Sequence, residues 1–387
     1  MRIKSCFTTN LTNSPALLGT TKARFQMTME KKLIATMVGL LLAGSAVTAV
    51  AALTPKEKLG ETIYHDARLS VPAGQACATC HSIAAGANGI GDANIDVYEG
   101  AVAGRFGGRN PPAASYATYS PVFPNPVNPN VVGIDPATGL YTGGQFWDGR
   151  AKDLAAQAKG PFLNPAEQNN PSAFAVVAQV CFSNYGALFK SVYGPNACRD
   201  TATAYNYIAD AIAAYESSAN VNRFNSKFDC ATYVPTPQEL NGRALFEGKG
   251  KCNLCHPSTV GPYAAKALFT DYTYDNLGIP KNPNIPGGPD LGLGAIVNDV
   301  LQYGKFKVPT LRNIAVAPPY GHNGYFKSLK DIVHFYNTRD VPAAGWPPPE
   351  VPQNVNMAEM GNLGLTDAEE NDIVAFLATL TDGYFCK

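Results

Sequence analysis

The sequence predicts a mostly α-helical chain built in two similar halves, and three observations carry that reading. The five-residue pattern C-x-x-C-H occurs twice, as Cys77-Ala-Thr-Cys80-His81 and as Cys252-Asn-Leu-Cys255-His256. Each copy follows a short amphipathic segment, Leu59-Gly-Glu-Thr-Ile63-Tyr64 and Leu240-Asn-Gly-Arg-Ala-Leu245-Phe246, which makes a weak internal repeat. Elsewhere apolar residues recur at helical spacing and no strand-rich region emerges. Tyr205, Ile208, Ile212 and Tyr215 share one face. A closing helix is marked by Thr366 as N-cap, by Glu369 as the partner in a capping box, and by the stripe Ile373, Phe376, Leu377 and Leu380.

Taken in chain order, the first element is a targeting segment. Lys31 and Lys32 precede an almost unbroken apolar run, Leu33 to Val50, ending in small residues at Ala49-Val50-Ala51. That is the layout of a secretory signal peptide, with an uncleaved membrane anchor as the other reading of the run. Met29 stands where such a signal starts, so residues 1–28 are left out of the fold. Residues 1–51 hold six Lys or Arg and one acid, and their removal takes the net charge from 0 to −5. The remaining chain would suit a basic partner, and its charge carries no nucleic-acid signature. With 387 residues and 45% hydrophobic content there is enough apolar material for two real cores, which excludes a disordered or collagen-like chain. The halves divide as 52–235 and 236–387, with Ser217 to about Gln238 as linker. Residues 83–145, rich in Gly, Pro and Asn, form a loop too long for an ordinary connection and are read as functional.

Cysteine spacing supplies the chemistry. Cys6 leaves with the leader and eight cysteines remain. Two thiols one helical turn apart can form thioethers to both vinyl groups of a porphyrin, and the adjacent imidazole is then aimed at the iron. Cys77, Cys80 and His81, and again Cys252, Cys255 and His256, therefore read as attachment sites for two haem c groups, with His81 and His256 as proximal ligands. Zinc would want four clustered ligands, and a redox dithiol would not need His twice. Covalent haem attachment is also completed outside the cytoplasm, in keeping with export. The fold expected is thus two cytochrome-c-like domains with long loops, each carrying one covalent haem c. Cys181, Cys198, Cys230 and Cys386 are left, an even number in an oxidising compartment. Proximity pairs Cys181 with Cys198 and leaves Cys230 with Cys386, one of three connectivities.

Further motifs accompany the two haem sites in order: Arg109-Asn110-Pro111; Phe146-Trp147-Asp148-Gly149-Arg150; Gln157; Gly160-Pro161; Asn164-Pro165; Glu167; Val308-Pro309-Thr310-Leu311-Arg312-Asn313; and Pro319-Tyr320-Gly321-His322-Asn323-Gly324. Together they resemble the bacterial dihaem cytochrome c peroxidase and MauG superfamily over about residues 55–385. The resemblance implies an exported, periplasmic or cell-surface enzyme of Gram-negative type, with no membrane span once the signal is cleaved. Its substrate would be H₂O₂ and its electron donor a small periplasmic cytochrome c or cupredoxin. The His81 haem would be the peroxidatic one, with Gln157 and Glu167 lining its distal pocket. A Glu in a poorly hydrated pocket can take a proton from one peroxide oxygen and deliver it to the other; the plainer reading is a Glu that caps or pairs on its loop. Trp147 would relay electrons between the haems, or serve as aromatic core, and the two roles are compatible. Asn110, with the backbone carbonyls of Ala317 and Pro319, falls on the family's calcium site.

Two departures bear on the branch. No histidine lies between Ser82 and Trp147, where many of these peroxidases carry one that closes the first haem. The resemblance then implies a first haem open to peroxide, as in MauG, and with it the alternative that peroxide is used to oxidise aromatic residues of a partner protein. The second concerns the distal ligand of the second haem, which the resemblance implies is Met in the peroxidases and Tyr in MauG-like members, so that Tyr336 or Met360 is expected here, with Met357 as a weaker rival. Leu329, Ile332, Val333 and Tyr336 share a helix face, so Tyr336 points inward, whereas Met360 stands just before the final helix. Of the other histidines, His322 is expected near haem, His65 at a helix end and His334 in solvent. A dihaem electron carrier without peroxide chemistry is a third reading, against which Gln157 and Glu167 stand.

Overall fold

The computed structural model describes residues 52–82 and 92–387, so the expected leader and the start of the long loop lie outside the described residues. Within them run α1 (Pro55–Tyr64), α2 (Cys77–Cys80), α3 (Leu154–Leu163), α4 (Ala173–Cys181), α5 (Gly186–Tyr193), α6 (Thr201–Glu216), α7 (Pro237–Glu247), α8 (Leu293–Val297), α9 (Leu329–Thr338) and α10 (Asp367–Ala378). Sheet is confined to two antiparallel pairs of two-residue strands. They are β1 (Gly133–Ile134) with β2 (Tyr141–Thr142), and β3 (Tyr274–Asp275) with β4 (Phe306–Lys307).

The internal repeat proves to be structural. α1 and α7 both open with a Thr N-cap, a Pro in the first turn and a Glu at the third position, Thr54/Glu57 and Thr236/Glu239. Pro fits there because the first helical N–H has no partner to lose. Each of these helices then crosses the last helix of its own half, α1 on α6 and α7 on α10. The crossings depend on glycine. A Cβ on Gly60 would lie 1.9 Å from the Ala211 carbonyl oxygen, and one on Gly242 would lie 1.8 Å from that of Asp372. Only a residue without a side chain lets the backbones approach this closely.

Two apolar cores result. One gathers Leu59, Ile63, Tyr64, Phe162, Ile208 and Ile212; the other gathers Phe246, Phe269, Phe335, Ile373, Phe376 and Leu380. The expected stripes of α6 and α10 are the buried ones, and Thr366 and Glu369 form their capping box. No helix or strand occupies 217–236; the stretch read as a linker, Ser217 to about Gln238, ends within the first turn of α7, which begins at Pro237. Both disulfides, Cys181–Cys198 and Cys230–Cys386, pair as proximity suggested. Residues 51–387 nevertheless form one unit. Segments around 110 and 147 from the first half bond to the second, with Asn110 N–H donating to the His322 carbonyl (2.8 Å) and Lys307 N–H to that of Trp147 (2.8 Å). Among the described residues no helix is long and apolar enough to cross a membrane.

Candidate active site

The first attachment motif begins with a single helical turn, α2, which puts Cys77 and Cys80 on one side and ends at His81. His81 Nδ1 lies 2.9 Å from the Pro112 carbonyl, so the proton sits on Nδ1 and Nε2 is left as an acceptor. His256 repeats the device, with Nδ1 2.8 Å from the Phe269 carbonyl. Burial keeps both imidazoles neutral, lowering His81 and taking His256 to about 4. The four motif cysteines stay out of disulfides. Burial pushes each thiol up to about 12, against what a thiolate ligand or a reactive dithiol requires. Neutral thiols in pairs beside a neutral imidazole steadied by a backbone carbonyl suit covalent haem attachment.

Glu167 faces the first motif. Asn164 caps α3 and organises the turn that follows: its Oδ1 accepts from Ala166 N–H (2.9 Å), its carbonyl accepts from Glu167 N–H (3.0 Å), and its Nδ2 donates to Glu167 Oε1 (2.9 Å). One carboxylate oxygen is thereby held while Oε2 remains for other chemistry. Burial raises the Glu167 carboxyl above its ordinary range, the Arg150 charge and the Asn164 bond offsetting only part. The carboxylate is close enough to Cys80 to raise that thiol in turn. Gln157 lies on α3 four residues before Pro161, which has no N–H to return to the Gln157 carbonyl.

The second motif opens onto a cleft with about 1680 Å³ of empty space, open solvent at its mouth included. Cys252, Cys255 and His256 line one part of it, and Tyr336 and Met360 also line it. The expected face of α9 is confirmed, since Leu329, Ile332, Val333 and Tyr336 all border this cleft. The Tyr336 hydroxyl finds no hydrogen-bond partner among the described residues. Burial, then the nearby Cys255 and Cys252, pushes it well above the usual phenol range. Met360 is buried in the same core.

Trp147 borders the cleft from the other half, its indole N–H donating to the Asn110 carbonyl (2.7 Å). The Asn110 side chain donates to the carbonyls of Pro319 (2.8 Å) and Gly321 (3.3 Å). With the amide turned over, Oδ1 and these carbonyls offer the neutral oxygens a calcium ion takes, and Ala317 lines the same cleft. His322 is buried, stacked on Phe306 at 3.6 Å, and its Nε2 lies 3.5 Å from Glu350. His65 caps α1 as expected. His334 is half-exposed but paired with Glu370 at 2.9 Å, so it does more than face solvent.

Sequence reading missed the charges that tie these parts together. Arg109 grips Asp290 with Nε (2.6 Å) and Nη2 (2.8 Å) and reaches Asp148 with Nη1 (2.5 Å). Arg150 holds Asp148 from the other side at 3.0 Å. Arg109 and Asp148 stood in motifs, but Asp290 lies in a Gly-Pro loop with no local signal. Glu216, the last residue of α6, is 6% exposed and pushed by burial to about 8, with Oε2 lacking a partner. It sits close enough to Cys77 to raise that thiol.

Comparison with known proteins follows the same lines. A family model described as di-haem cytochrome c peroxidase matches residues 54–233. The chain is 36% identical over 366 residues to the methylamine utilization protein MauG of Paracoccus denitrificans, covering 88% of this chain and 92% of that one. It is 28% identical to the cytochrome c551 peroxidase of Nitrosomonas europaea, covering 76% and 78%. The solved structure of the diheme peroxidase BthA from Burkholderia thailandensis is similar with a TM-score of 0.76 at 31% identity, over 86% of this chain and 87% of that one.

Proposed function

Because the chain belongs to the di-haem cytochrome c peroxidase and MauG family, a family of oxidoreductases, we propose that it reduces H₂O₂ to water at the His81 site. Electrons would arrive one at a time through the His256 site and Trp147 from a small exported cytochrome c or cupredoxin. Residues 52–235 then form the peroxidatic half and 236–387 the electron-transfer half, a division supported by the two separate cores. The observation that carries the reading is Glu167, a carboxyl raised by burial and steadied by Asn164 beside the first attachment motif.

Cys77 and Cys80 would hold one haem c and Cys252 and Cys255 the other, with His81 and His256 presenting Nε2 to each iron. Haem c supplies the redox centre for O–O cleavage. This chain's residues do the rest. Glu167 Oε2 takes the proton from one peroxide oxygen and delivers it to the other, so that the leaving oxygen departs as water rather than hydroxide. Gln157, on α3 just before the turn that carries Glu167, would position the peroxide. Two further electrons and two protons complete the balance H₂O₂ + 2H⁺ + 2e⁻ → 2H₂O. The Pro112 and Phe269 carbonyls raise the basicity of both proximal imidazoles by accepting their Nδ1 protons. Of the two candidates on the cleft, Tyr336 rather than Met360 would be the residue that helps Cys252, Cys255 and His256 hold the second haem, because its phenol has no other partner and lies close to Cys255. Asn110 with the Pro319 and Ala317 carbonyls would hold a calcium ion.

The test is steady-state peroxide reduction with a reduced cytochrome c. Glu167→Gln is expected to lose at least a hundredfold in turnover while keeping both haems. Full activity in that variant would remove the acid/base assignment. A second reading, peroxide-driven oxidation of aromatic side chains on a partner protein, is favoured by the absence of histidine from Ser82 to Trp147. It predicts slow turnover with small donors and one high-spin ferric haem in the protein as isolated.

A further inference from the structure

Lys307, on β4, lines the cleft beside Trp147, and its position calls for an anion that the chain does not supply. An ammonium carries three N–H donors. One goes to the Gly144 carbonyl at 2.5 Å, and no second acceptor appears among the described residues. Gly144 is a shared acceptor, because the Ser120 hydroxyl also donates to it (2.7 Å). The nearest opposite charge is Asp148, yet its two oxygens already take Arg109 (2.5 Å) and both Arg150 N–H groups (3.0 to 3.2 Å). Burial lowers Lys307 to about 7, and the Asp148 charge offsets only part of this. His322 borders the same cleft with an Nε2 that makes no hydrogen bond, although the residue is only 5% exposed. The wall is otherwise mainly apolar, and whereas the His322 Nε2 has the Glu350 carboxylate 3.5 Å away, the Lys307 ammonium has one carbonyl and no carboxylate of its own. A half-buried ammonium in this state either gives up its proton or takes the missing charge from an occupant of the cleft.

We propose that Lys307 receives a propionate of the haem attached at Cys252 and Cys255, and through that pair holds up the reduction potential of the second haem. A paired propionate contributes less negative charge to the porphyrin, which favours the reduced iron. The same lysine hydrogen-bonds through its backbone N–H to the Trp147 carbonyl (2.8 Å), so one residue places the charge and the relay together. Lys307 is in this account a positioning and tuning residue and makes no contact with peroxide. The inference rests on haem attachment at the second motif and does not require peroxide turnover.

The test compares the holoenzyme with its Lys307→Met and Lys307→Arg variants, each checked for two haems per chain. Two readouts are taken at fixed pH: spectroelectrochemical titration of the His256 haem, and the propionate bending modes of its resonance Raman spectrum. Lys307→Met is expected to shift the one-electron equilibrium at least tenfold towards the oxidised form, about 59 mV, and to move the propionate modes. Lys307→Arg is expected to keep the wild-type potential within a factor of about three. An unchanged potential in Lys307→Met overturns the proposal. So does a shifted potential with unmoved propionate modes, which would place the effect on Asp148 or Trp147 instead. If peroxide turnover proves absent but both readouts move, the lysine assignment stands and only the peroxidase reading fails.

Discussion

Replacing Arg109 with Met would test whether the charge cluster between the two halves holds them in register. The guanidinium makes three close bonds, two to Asp290 and one to Asp148, and the side chains of Arg109, Asp148 and Asp290 are 19%, 4% and 25% exposed. Breaking a buried pair by removing one partner costs about 3 to 5 kcal/mol, because the other charge is left uncompensated. Partial exposure of Arg109 and Asp290 places the expected loss at the low end, about 3 kcal/mol. Arg150 still holds Asp148, so the orphan is chiefly Asp290. The pH dependence follows from that carboxyl. Burial alone would raise it, but the hydrogen bond and charge of Arg109 outweigh burial and hold it below the ordinary carboxylate range. A depressed folded value contributes stability above the unfolded pKa and loses it as pH falls through the folded one. The gap between wild type and variant should therefore be full at pH 7 and shrink well below pH 4. Urea unfolding followed by circular dichroism at several pH values measures it. A loss under about 1 kcal/mol at pH 7, or a loss unchanged in acid, would refute the clamp. Added salt should change the gap little, since buried pairs are weakly screened.

Other outcomes follow from the same geometry. Because burial raises Glu167, peroxide turnover should increase with pH through a value above the usual carboxylate range, and this limb should vanish in Glu167→Gln; stopped-flow reduction at graded pH is the check. Tyr336→Phe should change the optical and magnetic spectra of the low-spin haem, whereas Met360→Leu should leave them unaltered; the reverse pattern would transfer the ligand role to Met360. Gly242→Ala should destabilise by about 2 kcal/mol despite the better helix propensity of alanine, because its Cβ would meet the Asp372 carbonyl at 1.8 Å. Leu240→Ala, on the same helix but 55% exposed, should cost under about 0.5 kcal/mol in the same unfolding assay.

What was legible in the sequence was whatever depends on residues close together along the chain. The two attachment motifs need only one helical turn each, the caps Thr54, Thr236 and Thr366 act over three residues, and the stripes of α6 and α10 repeat every three or four. Such short-range geometry is fixed by bond lengths and helical pitch, so spacing alone reveals it. Both disulfides also followed, because few cysteines remained to be paired. The tertiary structure decided what depends on residues distant in sequence. Asp290 lies 181 residues from Arg109 and pairs with it only because the halves meet. Lys307 looks like any strand lysine until the fold half-buries it beside Trp147, and Glu216 like any helix-end acid until α6 packs inward. Charge and desolvation act through space, and their size is set by what surrounds a group once the chain has closed over it.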